Sequence, residues 1–379
     1  MKIVQTENIR MILNDSDCGD KVYLTFTVHC GFCCRAVYFP DTDELREANQ
    51  AFPNTFAHYI TDYYLQNFQK SLTTEIFRST ISFVLQTDTK NVFQDMERIH
   101  SVLFDLQPEE SLFETAKEKT ILSFTAKYKD VKFRALYKML EFSESGKSFH
   151  YTKLAKDMQE LDYKTFCNSM DLFVRPEHSV LFLAGDASGL LPLPELNLKK
   201  RETNGDAPLF VFQEKDVTLQ TDCHFVKPDM EDYRMACVKF FFANSQISQT
   251  ERYFLLSMLA GLMLQTDYDV NVDAADASIL YWNRQPEEFK YRIPDFLKND
   301  ETETCRKRLL ASLNHTMENN PQRFYAQWGN LLMNGIELHG YLHLLETGTG
   351  QTLLDLYEKS DLFVREAQII LQNVVEGKQ

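Results

Sequence analysis

Alternating apolar and polar residues predict β structure near the start of the chain. Residues 22–28 place every second side chain, all of them apolar, on one face. A second run rich in strand-forming residues covers 34–39, and a short segment containing glycine joins the two runs. This arrangement predicts a β-hairpin.

Apolar residues at helical spacing dominate the next part of the sequence. They predict helices over residues 43–70, 91–106, 111–128 and 132–142, with a strand at 79–86. Asp162 stands where it can cap the N-terminus of a further helix, which Arg175-Pro176 ends. Residues 179–186 then predict a strand that completes the first half.

A segment with several glycines and prolines, residues 187–208, is the predicted interdomain linker. After it the pattern begins again. Strands are predicted at 217–226, 234–242 and 277–282, and helices at 250–264, 301–318, 321–335, 337–347 and 361–374.

Both halves run from strands through a buried helix into a block of helices. This order predicts an α+β fold made of two tandem similar halves, 1–186 and 209–379. Each half is expected to form a mainly antiparallel sheet with helices on one face. A length of 379 residues agrees with two domains.

The charge balance and the absence of apolar runs narrow the functional classes. The net charge of −15 disfavours nucleic-acid binding, which needs a basic face. No run approaches the roughly 18 apolar residues of a membrane span, and the N-terminus lacks the apolar core of a secretory signal. A cytoplasmic protein whose eight cysteines are reduced thiols is expected.

Three stretches together resemble the M16 (inverted zincin) peptidase family. The first is the helix that leads through Arg175-Pro176 into a strand ending in Gly-Asp. The second is the helix at 111–128, and the third is the order of strand and helix at 234–264. The resemblance covers nearly the whole chain and implies the two-part fold of a zinc peptidase.

The active family carries His-x-x-Glu-His on a helix, where two histidines hold zinc and the glutamate is the general base. The matching segment begins at His58, but Thr61 takes the position of the base and Asp62 that of the second ligand. The third ligand, a glutamate in the family, falls near Ser123 or Phe124. The resemblance therefore implies a catalytically inactive member, with no metal bound by this chain and no peptide cleaved by it alone.

The resemblance also implies a partner. An M16 unit forms only half of a peptide chamber, so the expected assembly is a heterodimer with an active, zinc-bearing M16 subunit. The implied substrate is a peptide, such as a bacteriocin precursor or its leader. Tyr268 lies where the family presents a tyrosine to the peptide, although no arginine precedes it at the family spacing.

Two other interpretations come from different functional classes. One is a self-contained peptide chaperone or scaffold that needs no protease. The other is a metalloenzyme that uses His29, Cys30 and Cys33, although a zinc site of this kind needs a second ligand pair, and buried thiols beside a turn, including Cys34, explain the cluster equally simply. His339 and His343, four residues apart, are a weaker candidate for a metal site because Gly340 between them disfavours a helix.

Overall fold

The structure is a computed structural model that describes most of the chain. The described residues are 2–5, 10–15, 20–34, 36–40, 42–47, 49–130, 133–134, 136–137, 151–185, 188–190, 209–210, 224–226, 233–242, 246–263, 268–272, 276–283 and 301–372. None of the described helices is long and apolar enough to cross a membrane.

The described part of the chain contains both strands and helices. The strands are β1 (Lys2–Gln5), β2 (Arg10–Asp15), β3 (Lys21–Val28), β4 (Ala36–Phe39), β5 (Glu44–Glu47), β6 (Thr73–Ile76), β7 (Ile81–Asp88), β8 (Ser179–Gly185), β9 (Leu209–Phe210), β10 (His224–Val226), β11 (Tyr233–Phe242), β12 (Tyr268–Val272), β13 (Asp276–Asn283) and β14 (Leu362–Gln372). The helices are α1 (Phe52–Phe68), α2 (Val92–Phe104), α3 (Glu110–Tyr128), α4 (Tyr151–Glu160), α5 (Tyr163–Phe173), α6 (Gln249–Met263), α7 (Glu301–Asn319), α8 (Pro321–Met333), α9 (Leu338–Thr347) and α10 (Gly350–Lys359).

Two compact units share the chain, and they interleave in sequence. Unit 1 contains Met1–Phe124, Thr152–Phe212 and Thr316–Met333. Unit 2 contains Thr125–Tyr151, Gln213–His315 and Asn334–Gln379. Helix α8 therefore belongs to unit 1 although it lies late in the sequence, an exchange that the expected division at residues 187–208 does not foresee. Most of that expected linker lies outside the described residues.

Unit 1 is built on a six-stranded sheet in the order β1-β2-β8-β3-β7-β6. Strand β3 pairs antiparallel with β7 and with β8, and β2 runs parallel to β8. One face of the sheet packs against the helices α1, α2 and α5. The ring of Phe56 meets that of Phe83 edge to face at 5.9 Å, and Phe52 lies 5.5 Å from Phe166.

The opposite face of this sheet is covered by α8, which explains why β3 is buried on both sides. Tyr325 packs on Tyr23 and Phe182, with ring centroids 5.0 and 5.8 Å apart. The sequence predicts helices on one face of each sheet, on the basis of the repeated order of elements, whereas this sheet has helices on both faces.

Hydroxyl groups fix α8 on its face of the sheet. Ser82 donates to the carbonyl of Ala326 at 2.9 Å and is itself 2.9 Å from the hydroxyl of Thr27. Gly329 lies so close that a Cβ there would stand 2.1 Å from Thr27 Oγ1 and 2.9 Å from Thr25 Cγ2. Helix and sheet can approach this closely only because position 329 carries no side chain.

The predicted hairpin of residues 22–28 with 34–39 is wrong. Strand β4 pairs instead with β5 and β9 in a separate three-stranded sheet. The reason lies in the intervening segment, whose backbone bonds to the turn between β6 and β7. Phe32 N–H donates to Phe77 O at 3.2 Å, and Cys33 N–H donates to Arg78 O at 2.9 Å. These bonds carry the chain away from β3 before β4 begins.

The prediction of one helix over residues 43–70 is also wrong in its first part. Residues Glu44–Glu47 form the exposed strand β5, and the helix begins only at Phe52. Asp43 adopts a positive φ of 51° and accepts a bond from the Tyr38 hydroxyl at 2.8 Å. That turn reverses the chain into a hairpin with β4.

Unit 2 is built on a five-stranded sheet in the order β10-β14-β11-β13-β12. Strand β11 pairs antiparallel with β13 and with β14, and β10 runs parallel to β14. The buried helix α6 contacts β12, α9 and α10. Its apolar residues Phe254, Leu255, Leu256, Met258 and Leu259 are almost fully buried.

The two sheets have the same topology, which confirms the prediction of two similar α+β halves. The strand order β2-β8-β3-β7-β6 in unit 1 corresponds to β10-β14-β11-β13-β12 in unit 2, with the same parallel and antiparallel pairs. In both units one helix, α1 or α6, separates the central strand from the edge strand. A duplicated unit explains this agreement.

The same correspondence corrects the C-terminal prediction. Residues 361–374 were expected to be helical, but Leu362–Gln372 form β14, the equivalent of β8. Apolar residues on consecutive positions fit a strand buried between two neighbours as well as they fit a helix. Helix α10 was not predicted; its N-terminus is formed by Thr349, whose hydroxyl accepts from Thr352 N–H.

Other predicted elements are confirmed or lie outside the description. The helices predicted at 91–106, 111–128 and 250–264 and the strands at 179–186, 234–242 and 277–282 are present within two residues of their bounds. Asp162 caps α5 by accepting from Thr165 N–H at 2.7 Å. Most of the segments 132–142 and 217–226 lies outside the described residues.

The close approach of α8 to the sheet gives a stability test. Gly329→Ala is expected to lower the free energy of unfolding by about 1–3 kcal/mol, since the new methyl group collides with two strand side chains that are themselves buried. That cost exceeds the gain in helix propensity of about 1 kcal/mol. Gln327→Ala, on the exposed side of the same helix, is the control and should change stability by under about 0.5 kcal/mol. Urea unfolding measures both, and a stabilised Gly329→Ala variant would contradict the described contact.

Candidate functional site

The segment that matches the zinc motif lies in the middle of α1. The helix starts with Pro53 in its first turn and ends at Gln69, which adopts a left-handed conformation with φ of 54°. Tyr59 and Ile60 are fully buried, whereas His58, Thr61 and Asp62 lie at the border of the buried face. The helix thus presents the three motif positions at its half-exposed edge.

Thr61 occupies the position of the general base, and its hydroxyl is engaged by neighbours. It donates to the carbonyl of Ala57 at 2.8 Å and lies 2.9 Å from the hydroxyl of Thr74 in strand β6. An alcohol in this setting cannot take a proton from a water molecule as a carboxylate does. The residue instead connects the motif to the edge strand of the sheet.

Asp62, at the position of the second ligand, forms an ion pair with Lys119 of α3. The ammonium nitrogen lies 2.7 Å from each carboxylate oxygen, and 15% of the Asp62 side chain is exposed. A metal ion at this carboxylate would have to displace a cation already bound there. At the surface such a pair stabilises a protein by only about 0.2–1 kcal/mol, so its main effect here is on the charge of the site.

The third ligand position does not supply a donor either. Phe124 is buried, and its ring is a hydrocarbon. Across the described residues no group of three or more histidine, cysteine, aspartate or glutamate side chains is placed to hold a metal ion. Around α1, the described side chains form an ion pair and a pair of contacting hydroxyl groups.

The cysteine cluster after β3 is buried and chemically quiet. Burial, with a smaller contribution from Cys34, raises the pKa of the Cys30 thiol well above its ordinary value. The thiol of Cys34 donates to the carbonyl of Ser79 at 3.1 Å. Burial, with a smaller contribution from His178, lowers the pKa of His29 to about 3. Neutral thiols favour a structural role over nucleophilic or metal chemistry.

Two other sequence candidates are placed as follows. Tyr268 begins β12 and pairs through its backbone with Tyr281, but its side chain lies outside the described part of the structure. His339 and His343 are exposed on α9. The structure thus places His58, Thr61 and Asp62 on α1, the cysteine cluster after β3, and His339 and His343 one turn apart on α9.

Comparison with known proteins gives matches by structure only. Neither a family model nor a curated protein matches the sequence. The structure is similar to that of a protein described as an M16-like peptidase from Alicyclobacillus acidocaldarius, with a TM-score of 0.71, 13% identity and 98% of each chain covered. A protease from Helicobacter pylori gives a TM-score of 0.70 at 10% identity, covering 98% of this chain and 99% of that one.

The periplasmic protease PqqL from Escherichia coli is a third similar structure. The TM-score is 0.60 at 11% identity, and the match covers 98% of this chain but 47% of PqqL. The chain has an M16-like peptidase fold. At these identities the likeness concerns the fold alone, in which α1 lies beside β6, at the end of the first sheet's described strand order, and Thr61 contacts Thr74.

Lys119 is the site residue that sequence reasoning missed. The family pattern directs attention on α3 to a third metal ligand, and a lysine is not a ligand of that kind. The available signal was electrostatic. A carboxylate at the expected ligand position of α1 is stabilised by a nearby cation, and α3 contains Lys117 and Lys119 a few residues before the expected position of the third ligand. Only the packing of α3 against α1 decides which lysine reaches Asp62.

Two buried histidines give the protein a pH dependence. Burial lowers the pKa of His100 to about 4 and that of His29 to about 3, both below the ordinary value near 6.5. The unfolded chain therefore binds protons below pH 6.5 that the folded chain does not. Stability should be greatest above pH 6.5 and fall by up to about 1.4 kcal/mol per pH unit for each histidine as the pH drops toward 4.

Replacement of one histidine isolates its contribution. His100→Phe, which preserves the aromatic contact with Phe104 at 4.8 Å, should make the loss of stability between pH 6 and pH 4 less steep. His343→Gln on the exposed side of α9 controls for removal of a histidine. Urea unfolding across this pH range is the measurement, and an unchanged slope in His100→Phe would reject the explanation.

Proposed function

We propose that this chain is the non-catalytic subunit of a two-chain M16-type metallopeptidase. The ion pair between Asp62 and Lys119 carries the proposal, since it places a protein cation at a carboxylate that would otherwise be a zinc ligand. Thr61 in the position of the base adds to it. The zinc and the general base would then be supplied by a partner subunit, and this chain holds neither.

The two-chain assembly rests on the likeness to M16-type proteins. The match to the protease PqqL covers 98% of this chain and 47% of that protease. We infer that this chain pairs with a second M16-type subunit, and the AlbE subunit of subtilosin-type bacteriocin operons, beside its zinc-bearing partner AlbF, is the system that it resembles.

The role of this subunit in that assembly is to hold the peptide. Enclosing a peptide and fixing it in an extended form excludes water and lowers the entropy cost of reaching the catalytic zinc. The implied substrate is a bacteriocin precursor or its leader, and the reaction would take place in the cytoplasm. None of the described cysteines forms a disulfide, which fits a reducing compartment.

Strand β6 offers a surface for such a peptide. It is the last strand of the described six-stranded sheet and contacts the motif through Thr74. Phe77 N–H donates to Thr80 O at the turn that joins β6 to β7, so these two residues form a hydrogen-bonded pair. From there, non-hydrogen-bonded and hydrogen-bonded pairs alternate along the two antiparallel strands. Glu75 bonds toward β7, and the backbone groups of Thr74 and Ile76 point away from it. An extended peptide can pair with these groups regardless of its sequence.

Partnership is tested by mixing purified chains. This chain and an intact zinc-bearing M16 subunit encoded beside it are expected to form a one-to-one complex by light scattering, and to cleave their peptide only when both are present. The isolated chain is expected to contain no stoichiometric zinc by elemental analysis. If the zinc-bearing subunit cleaves its natural peptide equally well alone, the proposed role is wrong. Peptide binding by this chain without any cleaving partner would favour a stand-alone chaperone.

Peptide pairing with β6 is tested by one backbone change. Ile76→Pro removes the outward N–H group but leaves the bonds of β6 to β7 intact, because position 76 does not pair with β7 through its N–H. The KM of the assembled complex should rise about three- to tenfold, as expected for loss of one or two hydrogen bonds.

The matched control for this change is Ile76→Ala, which alters the side chain and keeps the N–H group. It should leave the KM close to that of the unchanged complex. Equal KM values for the proline and alanine variants would exclude pairing at this strand, although the partnership itself would stand.

A further inference from the structure

A polar cavity lies between β5 and α5 in unit 1, on residues that the zinc motif does not include. Its volume is about 590 Å³, within the range of small-ligand sites. One wall is the exposed strand β5, with Arg46 and Glu47. The other is α5, with Asn168 and Asp171 among its lining residues, followed by Arg175, which lies two residues beyond the end of this helix.

Two arginines meet at this cavity on one aromatic ring. The guanidinium carbon of Arg46 lies 4.7 Å from the centroid of Phe39, and that of Arg175 lies 5.6 Å from it. Both guanidinium groups therefore contact the same ring, although one comes from β5 and the other from the segment after α5. Two cations that line one cavity attract an anion more strongly than either would alone.

The structure also fixes how each guanidinium is oriented. Arg175 donates through Nε to the carbonyl of Asp171 at 3.2 Å, and its Nη1 lies 3.6 Å from Glu177. Arg46 donates through Nη2 to Glu44 at 2.8 Å. Each guanidinium group has five N–H donors, and these bonds use only some of them, so further N–H groups remain on both arginines. Arg175 is the better ordered of the two, because only 20% of its side chain is exposed.

The remaining lining favours a ligand that has N–H groups as well as an anionic group. Glu47 and Asp171 carry acceptor oxygens into the same cavity, and the amide of Asn168 can both donate and accept. A simple inorganic anion brings no N–H groups that could pair with the two carboxylates. A peptide segment with an acidic side chain fits better. Its carboxylate can accept hydrogen bonds from the two guanidinium groups, and its backbone N–H groups can donate to the carboxylates of the cavity.

We propose that this cavity is a binding site for a carboxylate group carried by a peptide chain, with Arg46 and Arg175 as its ligands. Glutamate or aspartate side chains and a free C-terminus share this chemistry. The site lies on a chain of net charge −15, so recognition depends on the local arginine pair rather than on the overall charge. The proposal does not rest on the zinc-bearing partner, since the isolated chain contains the whole cavity.

The experiment titrates the isolated chain with capped peptides by calorimetry. The probe is an acetylated and amidated hexapeptide of glycine and serine with two central glutamates, compared with its glutamine counterpart. A version with glutamines and a free C-terminal carboxylate separates the terminal source from the side-chain source. Binding is expected for the glutamate peptide or the free-terminus peptide, and not for the neutral, fully capped peptide.

Variants assign the binding to the cavity. Arg175→Gln and Arg46→Gln should each weaken the affinity for the bound peptide about tenfold or more, as expected for loss of hydrogen bonds to a charged group. Lys164→Gln removes a positive charge from the exposed side of α5 outside the cavity and should leave the affinity unchanged. Arg46 is exposed in strand β5, so its variant remains informative if Arg175→Gln folds poorly.

Three results would overturn the proposal. These are equal binding of the glutamate and neutral peptides, an affinity that neither arginine variant changes, and binding of free succinate but of none of the peptides. Because no zinc-bearing subunit takes part in these titrations, such a failure leaves the proposed partnership untouched.

Discussion

The packing of α8 against the first sheet is the contact on which the structure of unit 1 depends. At Gly329 the helix backbone comes so close to Thr25 and Thr27 that no side chain fits between them. Buried hydroxyl groups are costly without partners, and α8 supplies the carbonyl of Ala326 to Ser82, which is in turn bonded to Thr27. With this helix in place the central strands lie between two helical layers, and α1 gains a rigid sheet on which the motif is fixed.

The sheet also fixes the surroundings of the segment that begins at His58. Thr61 lies 2.9 Å from the hydroxyl of Thr74 in β6, and the carboxylate of Asp62 is paired with Lys119 of α3. The ion pair balances the charge of this carboxylate within the protein, and the contact with Thr74 connects α1 to the edge strand.

Periodicity in the sequence predicted the helices and strands whose pattern is local, such as α2, α3, α6 and β8. It failed where distant segments decide the structure. The strand β14 pairs with β10 and β11, which lie far from it in sequence, while its apolar residues taken alone fit a helix equally well. The false hairpin has the same origin, since the bonds of Cys33 to Arg78 lie 45 residues apart in sequence. For the site, the resemblance located the motif on α1, but Lys119 and the arginine pair became visible only through packing.

The late position of α8 in the sequence has a consequence for synthesis. Phe182 in β8 and Tyr325 in α8 are separated by 143 residues (325 − 182), so the sheet of unit 1 emerges from the ribosome before the helix that covers it. At roughly 5–20 residues per second, that delay is about 7 to 29 seconds. Throughout it, Tyr23, Phe182 and the hydroxyl-bearing strands around them have no permanent cover. A nascent chain in this state is a natural client for a chaperone that shields flat, partly apolar β surfaces.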